Sequence, residues 1–203
     1  MAADTRQRMV FSAMQLFREF GYSGTGFRDV VAHSEAPRGS IYHHFPGGKA
    51  ELGVDAVALG AAFVDRALQE ALGGVDPAEG FAAFLAWWID FLEARNFEAG
   101  CPVLAVAAES HPEAPQLAAA AAAAFGGWEN TLSGALRDAG VAPQTSDELA
   151  TLVLAAVEGA MVMCRATHDR GPLIRVGRQL RGVLQSAVAA TTAAPLAEPP
   201  EKK

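Results

Sequence analysis

Apolar residues return at helical spacing along almost the whole chain, and glycine and proline breaks cut that pattern into a succession of segments. Val10, Met14 and Phe17, widened by Phe11, Leu16 and Phe20, predict a first helix from about Asp4 to Phe20, stopped by Gly21. Phe27, Val30 and Val31 give a short second helix, Phe27 to Ser34, with Thr25 and Gly26 as acceptable start positions. Glu35-Ala36-Pro37 breaks it. Pro37 suits the first position of a two-turn third helix, Arg38 to Phe45, whose core-facing pair is Ile41 and Phe45 and which Pro46-Gly47-Gly48 ends.

The remainder reads as six more helices. They run from about Lys49 to Leu72, Pro77 to Phe97, Cys101 to Ser110, Glu113 to Ala139 with a bend near Gly126-Gly127, Ser146 to Asp169, and Leu173 to Ala190. Alanine, leucine, arginine and glutamate are abundant, a mixture that favours helix, so the expected fold is all-α with about nine helices. The final stretch, TTAAPLAEPPEKK, is proline-rich and charged and is expected to be disordered over 191–203.

Charge divides the chain unevenly. The net charge over 203 residues is −7, yet residues 1–50 hold six of the 16 Lys and Arg, four of the 23 Asp and Glu and three of the five His. That is 6 − 4 = +2 for the first quarter and 10 − 19 = −9 for the rest: a basic module on an acidic body. The expected division is a helix-turn-helix unit over 1–48 and a larger helical unit over 49–190. Cys101 and Cys164 stand far apart without a CxxC pattern, which gives neither a disulfide framework nor a zinc set. The N-terminus lacks the apolar run of a signal peptide, and the apolar stretch Leu149 to Cys164 is short and interrupted by Glu158, so no membrane partner is expected and the chain reads as cytoplasmic.

The stretch APRGSIYHHFPGGKAEL, residues 36–52, concentrates polar chemistry. It fails as a phosphate loop, because Gly48-Lys49 is followed by Ala50 and His43 stands where the first glycine belongs. His43 and His44, adjacent on a helix, point about 100° apart and cannot share one metal ion. No nucleophile or carboxylate in the segment pairs with them for acid–base work. A helix for a DNA major groove needs donors and a small residue for close approach, and Arg38, Ser40, Tyr42 and His43 supply the donors while Gly39 supplies the room. Lys49 stands at the start of the fourth helix, where its ammonium and the terminal N–H groups suit one phosphate.

GYSGTGFRDVVAHSEAPRGSIYHHFPGGKAEL strongly resembles the DNA-binding segment of TetR-family transcriptional regulators, over roughly residues 4–58. GCPVLAVAAE, Trp128 and EGAMVMCRATHDRGPL are similar to the subgroup of LmrA/YxaF-type repressors. The resemblance implies a homodimeric regulator that puts its third helix into adjacent major grooves of double-stranded, palindromic operator DNA. A small molecule in the C-terminal domain then changes the separation of the two heads. It implies a DNA-contact set of Thr25, Arg28, Arg38, Gly39, Ser40, Tyr42, His43 and Lys49. In that set Arg28 is a phosphate or groove-edge contact, and Tyr42 and Lys49 are phosphate anchors. Gly26 departs from the Ser or Thr usual there, and Glu35-Ala36-Pro37 replaces the usual glycine-containing turn.

The sensor expectations rest on aromatic residues. The fifth helix carries Phe81, Phe84, Leu85, Trp88 and Leu92 on one stripe with Trp87 and Phe91 beside it, wide enough to wall a cavity. A pocket for a planar aromatic or drug-like effector is expected among helices five to eight, from Phe84, Trp87, Trp88, Phe91, Cys101, Leu104, Phe125, Trp128, Glu158, Met161 and Cys164. Glu158, inside an apolar helix, is expected to pair with Arg165 or Arg95, or to orient the ligand. Helices eight and nine carry more apolar surface than one face needs, including Leu149, Leu152, Val153, Val157, Val183 and Leu184, which suits a homodimer contact. No cofactor or metal is implied. The alternatives are a helical enzyme, for which His111, Glu109 and Cys101 have no recognisable spacing, and a redox-sensing regulator acting through Cys101 and Cys164. Nothing in the chain separates repression from activation.

Overall fold

Proline starts four of the helices. Pro77, Pro102, Pro115 and Pro143 each occupy a first helical position, where a missing N–H leaves nothing unpaired. The computed structural model describes residues 2–37, 39–109 and 112–193, and among these there are nine α-helices and no strand. They are α1 (Ala2–Phe20), α2 (Phe27–His33), α3 (Ser40–His44), α4 (Gly48–Leu72), α5 (Pro77–Glu93), α6 (Pro102–Ala107), α7 (Pro115–Asp138), α8 (Pro143–Thr167) and α9 (Gly171–Ala193). The α5 start is also capped by Asp76, whose carboxylate accepts from the N–H groups of Ala78 and Glu79.

Pro37 does not follow this rule. The third helix begins at Ser40, because Gly39 takes a left-handed conformation (φ +86°) and the turn closes with the Ser40 N–H and hydroxyl both donating to the Pro37 carbonyl. Only five residues are helical. α7 runs unbroken through Gly126 and Gly127, where a bend is expected from the sequence. Thr191–Ala193, expected in the tail, continue α9. Arg38, His111 and residues 194–203 lie outside the described residues.

In the body, α4 packs on α7, α5 and α6, while α8 is held between α7 and α9, and α9 closes back onto α5. Below it α1 joins α4 and α6 to the short α2 and α3. The apolar core forms one cluster from Met9, Phe17, Ile41 and Phe45 in the head to Phe81, Leu92, Leu117 and Trp128 in the body. α8 is long and apolar enough to cross a membrane by length and composition, but half of its most apolar window is buried against its neighbours.

Candidate nucleic-acid interface and effector cavity

α3 is too short to hold itself in place, so its orientation comes from what it buries. Ile41 and Phe45, one turn apart, are inside the head core. The Arg6 guanidinium lies over the Phe45 ring at 4.8 Å from its centroid, and it also pairs with Asp55 (2.5 Å) and Glu51 (3.6 Å) on α4. α2 is tied to α1 by His33 Nδ1 and the Ser12 hydroxyl, 2.9 Å apart. With those sides fixed, α3 turns Tyr42, 69 % exposed, and His43 to solvent. The Tyr42 ring meets Phe27 of α2 edge-on at 5.5 Å, and His43 meets the half-buried His44 edge-on at 5.4 Å. Arg28 is exposed on α2, and a Cβ at Gly39 would meet no atom within 4 Å, so backbone can be approached closely there.

Thr25 stands apart from this surface. It is 2 % exposed and its hydroxyl donates to the Gly21 carbonyl at 2.9 Å, a turn-closing bond inside the head rather than a position on the exposed face. The cap of α2 comes instead from Asp29, whose carboxylate accepts the Gly26 N–H at 2.7 Å. The Lys49 ammonium is held 4.2 Å above the Tyr22 ring, and its pKa is lowered, by burial first, against the pull of Glu109 and Asp29. One N–H at the α4 start is already taken, since Gly47 donates to Glu51 at 2.8 Å.

Glu109, named from the sequence only in the enzyme alternative, joins head to body. Glu109, just beyond α6, accepts from the Tyr22 N–H (2.7 Å) and the Ser23 N–H (2.8 Å). Gly21 makes this possible twice over: its φ is +77°, and a Cβ there would lie 2.4 Å from Glu109 Oε1. The latch closes one carboxylate on the turn between α1 and α2, the turn that also carries Tyr22 beneath Lys49.

The single pocket expected among α5 to α8 is replaced by two cavities. One, of about 430 Å³, lies between α6, α7 and α8 and is lined by Leu104, Phe125, Glu129, Thr151, Leu154 and Glu158 among others. The second, of about 290 Å³, lies between α1, α4 and α5 and takes Trp87, Trp88 and Phe91. Phe84, Cys101, Trp128, Met161 and Cys164 are buried core residues that line neither of them. Glu158 is 8 % exposed, and its Oε2 has no hydrogen-bond partner. Burial pushes its carboxyl up to about 7, and a bond with the Cys101 thiol only partly offsets this. The expected pairing with Arg165 or Arg95 is overturned. The Arg165 guanidinium donates instead to the carbonyls of Glu19 (3.2 Å) and Glu98 (2.9 Å), and Arg95 sits 4.0 Å over the Phe91 ring.

Both cysteines are buried, and burial raises both thiols, which is the reverse of a reactive thiolate. Of the apolar stripe on α8 and α9, Leu149, Val153, Val157 and Leu184 are buried within the subunit. Leu152 and Val183 remain exposed, at 48 and 42 %.

Comparison with known proteins places this geometry. Residues 12–56 match the model of bacterial regulatory proteins of the tetR family, and residues 77–179 match that of the transcriptional regulator LmrA/YxaF-like C-terminal domain. The chain is 39 % identical over 185 residues to an uncharacterised HTH-type transcriptional regulator of Mycobacterium tuberculosis, covering 88 % of this chain and 93 % of that one. It is 30 % identical over 183 residues to the HTH-type transcriptional regulator LmrA of Bacillus subtilis, covering 90 % and 97 %. Among solved structures it is similar to the TetR-family regulator CifR, a cysteine-substituted form bound to 26-base-pair operator DNA. That match has a TM-score of 0.69 and 25 % identity and covers 90 % of this chain and 94 % of that one.

Proposed function

This chain belongs to the TetR family of bacterial transcriptional regulators, with an LmrA/YxaF-like C-terminal domain, and from that premise we propose that it is a repressor released from a palindromic operator by a small aromatic effector. The observation that carries the reading is the division of α3. Ile41 and Phe45 lock it to the head, while Tyr42 and His43 stand out from it beside the open Gly39. Arg28, Arg38, Gly39, Ser40, Tyr42, His43 and Lys49 form the proposed contact set, with Thr25 left out because its hydroxyl is engaged inside the head. In this reading His43 meets base edges, and Tyr42, Arg28 and Lys49 meet phosphates.

Two copies pair through the exposed remainder of the α8 and α9 stripe, Leu152 and Val183. The effector occupies the 430 Å³ cavity under α6. α6 supplies Leu104 to that cavity and, two residues past its end, Glu109 to the head, so a ligand that moves α6 pulls on the Tyr22–Ser23 turn. That is the physical link the release needs, because a ligand shifts an equilibrium only by making different contacts in the two states.

The test is an electrophoretic mobility shift on the DNA upstream of the protein's own coding region. Replacing Lys49 with alanine is expected to weaken binding to all DNA evenly and flatten the salt dependence. Replacing His43 with alanine is expected to cost about 1–3 kcal/mol at one base position and relax the preference there. Unchanged operator affinity in both variants overturns the assignment of the head.

A further inference from the structure

The cleft between α1, α4 and α5 holds a charge arrangement that the proposed function does not use. Its volume is about 290 Å³, and two arginines, Arg18 and Arg95, line it with no carboxylate among the lining residues. Both guanidiniums lie over the same Phe91 ring, at 4.9 Å and 4.0 Å from its centroid. Among the described residues neither makes an ion pair. Arg18 is only 6 % exposed, and its Nε is one of two buried side-chain atoms without a hydrogen-bond partner. Burial, and then the like charge of Arg95, push its pKa down to about 10. A buried guanidinium with an unused donor and a like-charged neighbour is costly by itself, and an anion reverses each part of that cost.

The rest of the cleft is built for a ring. Trp87 and Phe91 line it as a stacked pair along α5, with an interplanar angle of 29°. At the rim Phe11 and Phe63 leave 43 % and 45 % of their surface in water, large apolar side chains with nothing over them. We propose that this cleft is a second binding site, separate from the cavity under α6, for an aromatic carboxylate whose anionic group bridges Arg18 and Arg95 and whose ring lies against Trp87 and Phe91. Such a ligand gives the Arg18 Nε an acceptor and ties α1, the first helix of the head, to α5 of the body.

Isothermal titration of the full-length protein at pH 7 with three probes of one shape tests it: indole-3-acetate, the neutral tryptophol and the cationic tryptamine. Indole-3-acetate is expected to bind, tryptophol at least about tenfold more weakly, and tryptamine without measurable heat. Arg95→Gln is expected to lower indole-3-acetate affinity about tenfold and leave tryptophol unchanged. Glu158→Gln, which alters only the other cavity, is expected to change neither. The ranking of the probes on the unaltered protein stands even where a variant fails to fold. Equal binding of indole-3-acetate and tryptophol, preference for tryptamine, or no indole-3-acetate binding in the millimolar range overturns the proposal. Loss of binding in Glu158→Gln moves the ligand to the other cavity and overturns the location. DNA release is not a readout here, so the result does not depend on the repressor reading.

Discussion

In the head, polar side chains that packing takes out of water find partners within a turn or on the adjoining helix: the Thr25 hydroxyl on Gly21, the Ser34 hydroxyl on Val31, Ser12 with His33. The reverse holds at two places away from the reading end, Glu158 Oε2 on α8 and Arg18 Nε near the end of α1 where the head meets the body, and each of those residues borders a cavity. An unpaired buried polar atom costs about 1–3 kcal/mol. The difference teaches that the reading end of the head is arranged to keep one shape, while the unsatisfied groups stand where a cavity leaves room for a small molecule.

The largest expected effect separates frame from cavity within the body. Trp128 is 1 % exposed, donates its indole N–H to the Ala61 carbonyl at 3.3 Å and meets Phe125 edge-on at 5.5 Å. As a core residue it should lose about 3–5 kcal/mol of stability on replacement by alanine, measured by denaturant unfolding. Operator affinity at low temperature should stay as it was. A Trp128→Ala variant with near-normal stability breaks the comparison, because it puts the ring in a cavity wall.

Next in size is the pH dependence that Glu158 imposes. Its carboxyl ionises near 4.5 in ordinary surroundings and near 7 in the fold, so between those values the folded chain holds the extra proton. Stability therefore falls as pH rises through that window, and the interval corresponds to about 3 kcal/mol. Below pH 4 the group is protonated in both states and contributes nothing to the slope. Glu158→Gln should lack the fall, so the stability difference between variant and parent grows by about 3 kcal/mol from pH 4 to 8 at constant protein concentration. Parallel curves for the two proteins show that Glu158 is paired after all, and the contrast with the head disappears.

Helix identity was readable because apolar spacing and proline starts are local signals, and the split of α3 into buried Ile41 and exposed Tyr42 and His43 because those residues sit together in the sequence. What failed needed geometry. The resemblance puts Thr25 in the DNA-contact set, but side-chain direction within a turn cannot be read from residue type, and here the hydroxyl donates inward to the Gly21 carbonyl. The stripe on α5 reads as one wall, yet Phe84 faces the core while Trp87, Trp88 and Phe91 border the cleft toward α1. Arg165 lies two turns from Glu158 on α8, close enough to suggest a pair, but its long side chain reaches the carbonyls of Glu19 and Glu98. The Glu109 latch spans 87 and 86 residues to its two donors, and no local pattern announces a contact of that range.

That latch gives the smallest effect and the most direct test of how the two regions communicate. Its carboxylate accepts two backbone N–H groups at once, and a glutamine there keeps one accepting oxygen while setting an NH2 group against the second donor. The expected cost is about 1–2 kcal/mol, confined to the turn that ends α1. Amide exchange at Tyr22 and Ser23 should then quicken about 5- to 30-fold in Glu109→Gln, while amides in the α3 core pair, Ile41 and Phe45, keep their protection. Exchange that is unchanged at Tyr22 and Ser23 shows that the turn holds its shape unaided, and the head is then coupled to the body by apolar packing alone. Faster exchange at Ile41 and Phe45 as well shows the opposite extreme: the latch holds the reading helix, and the head is rigid only while α6 keeps Glu109 in place.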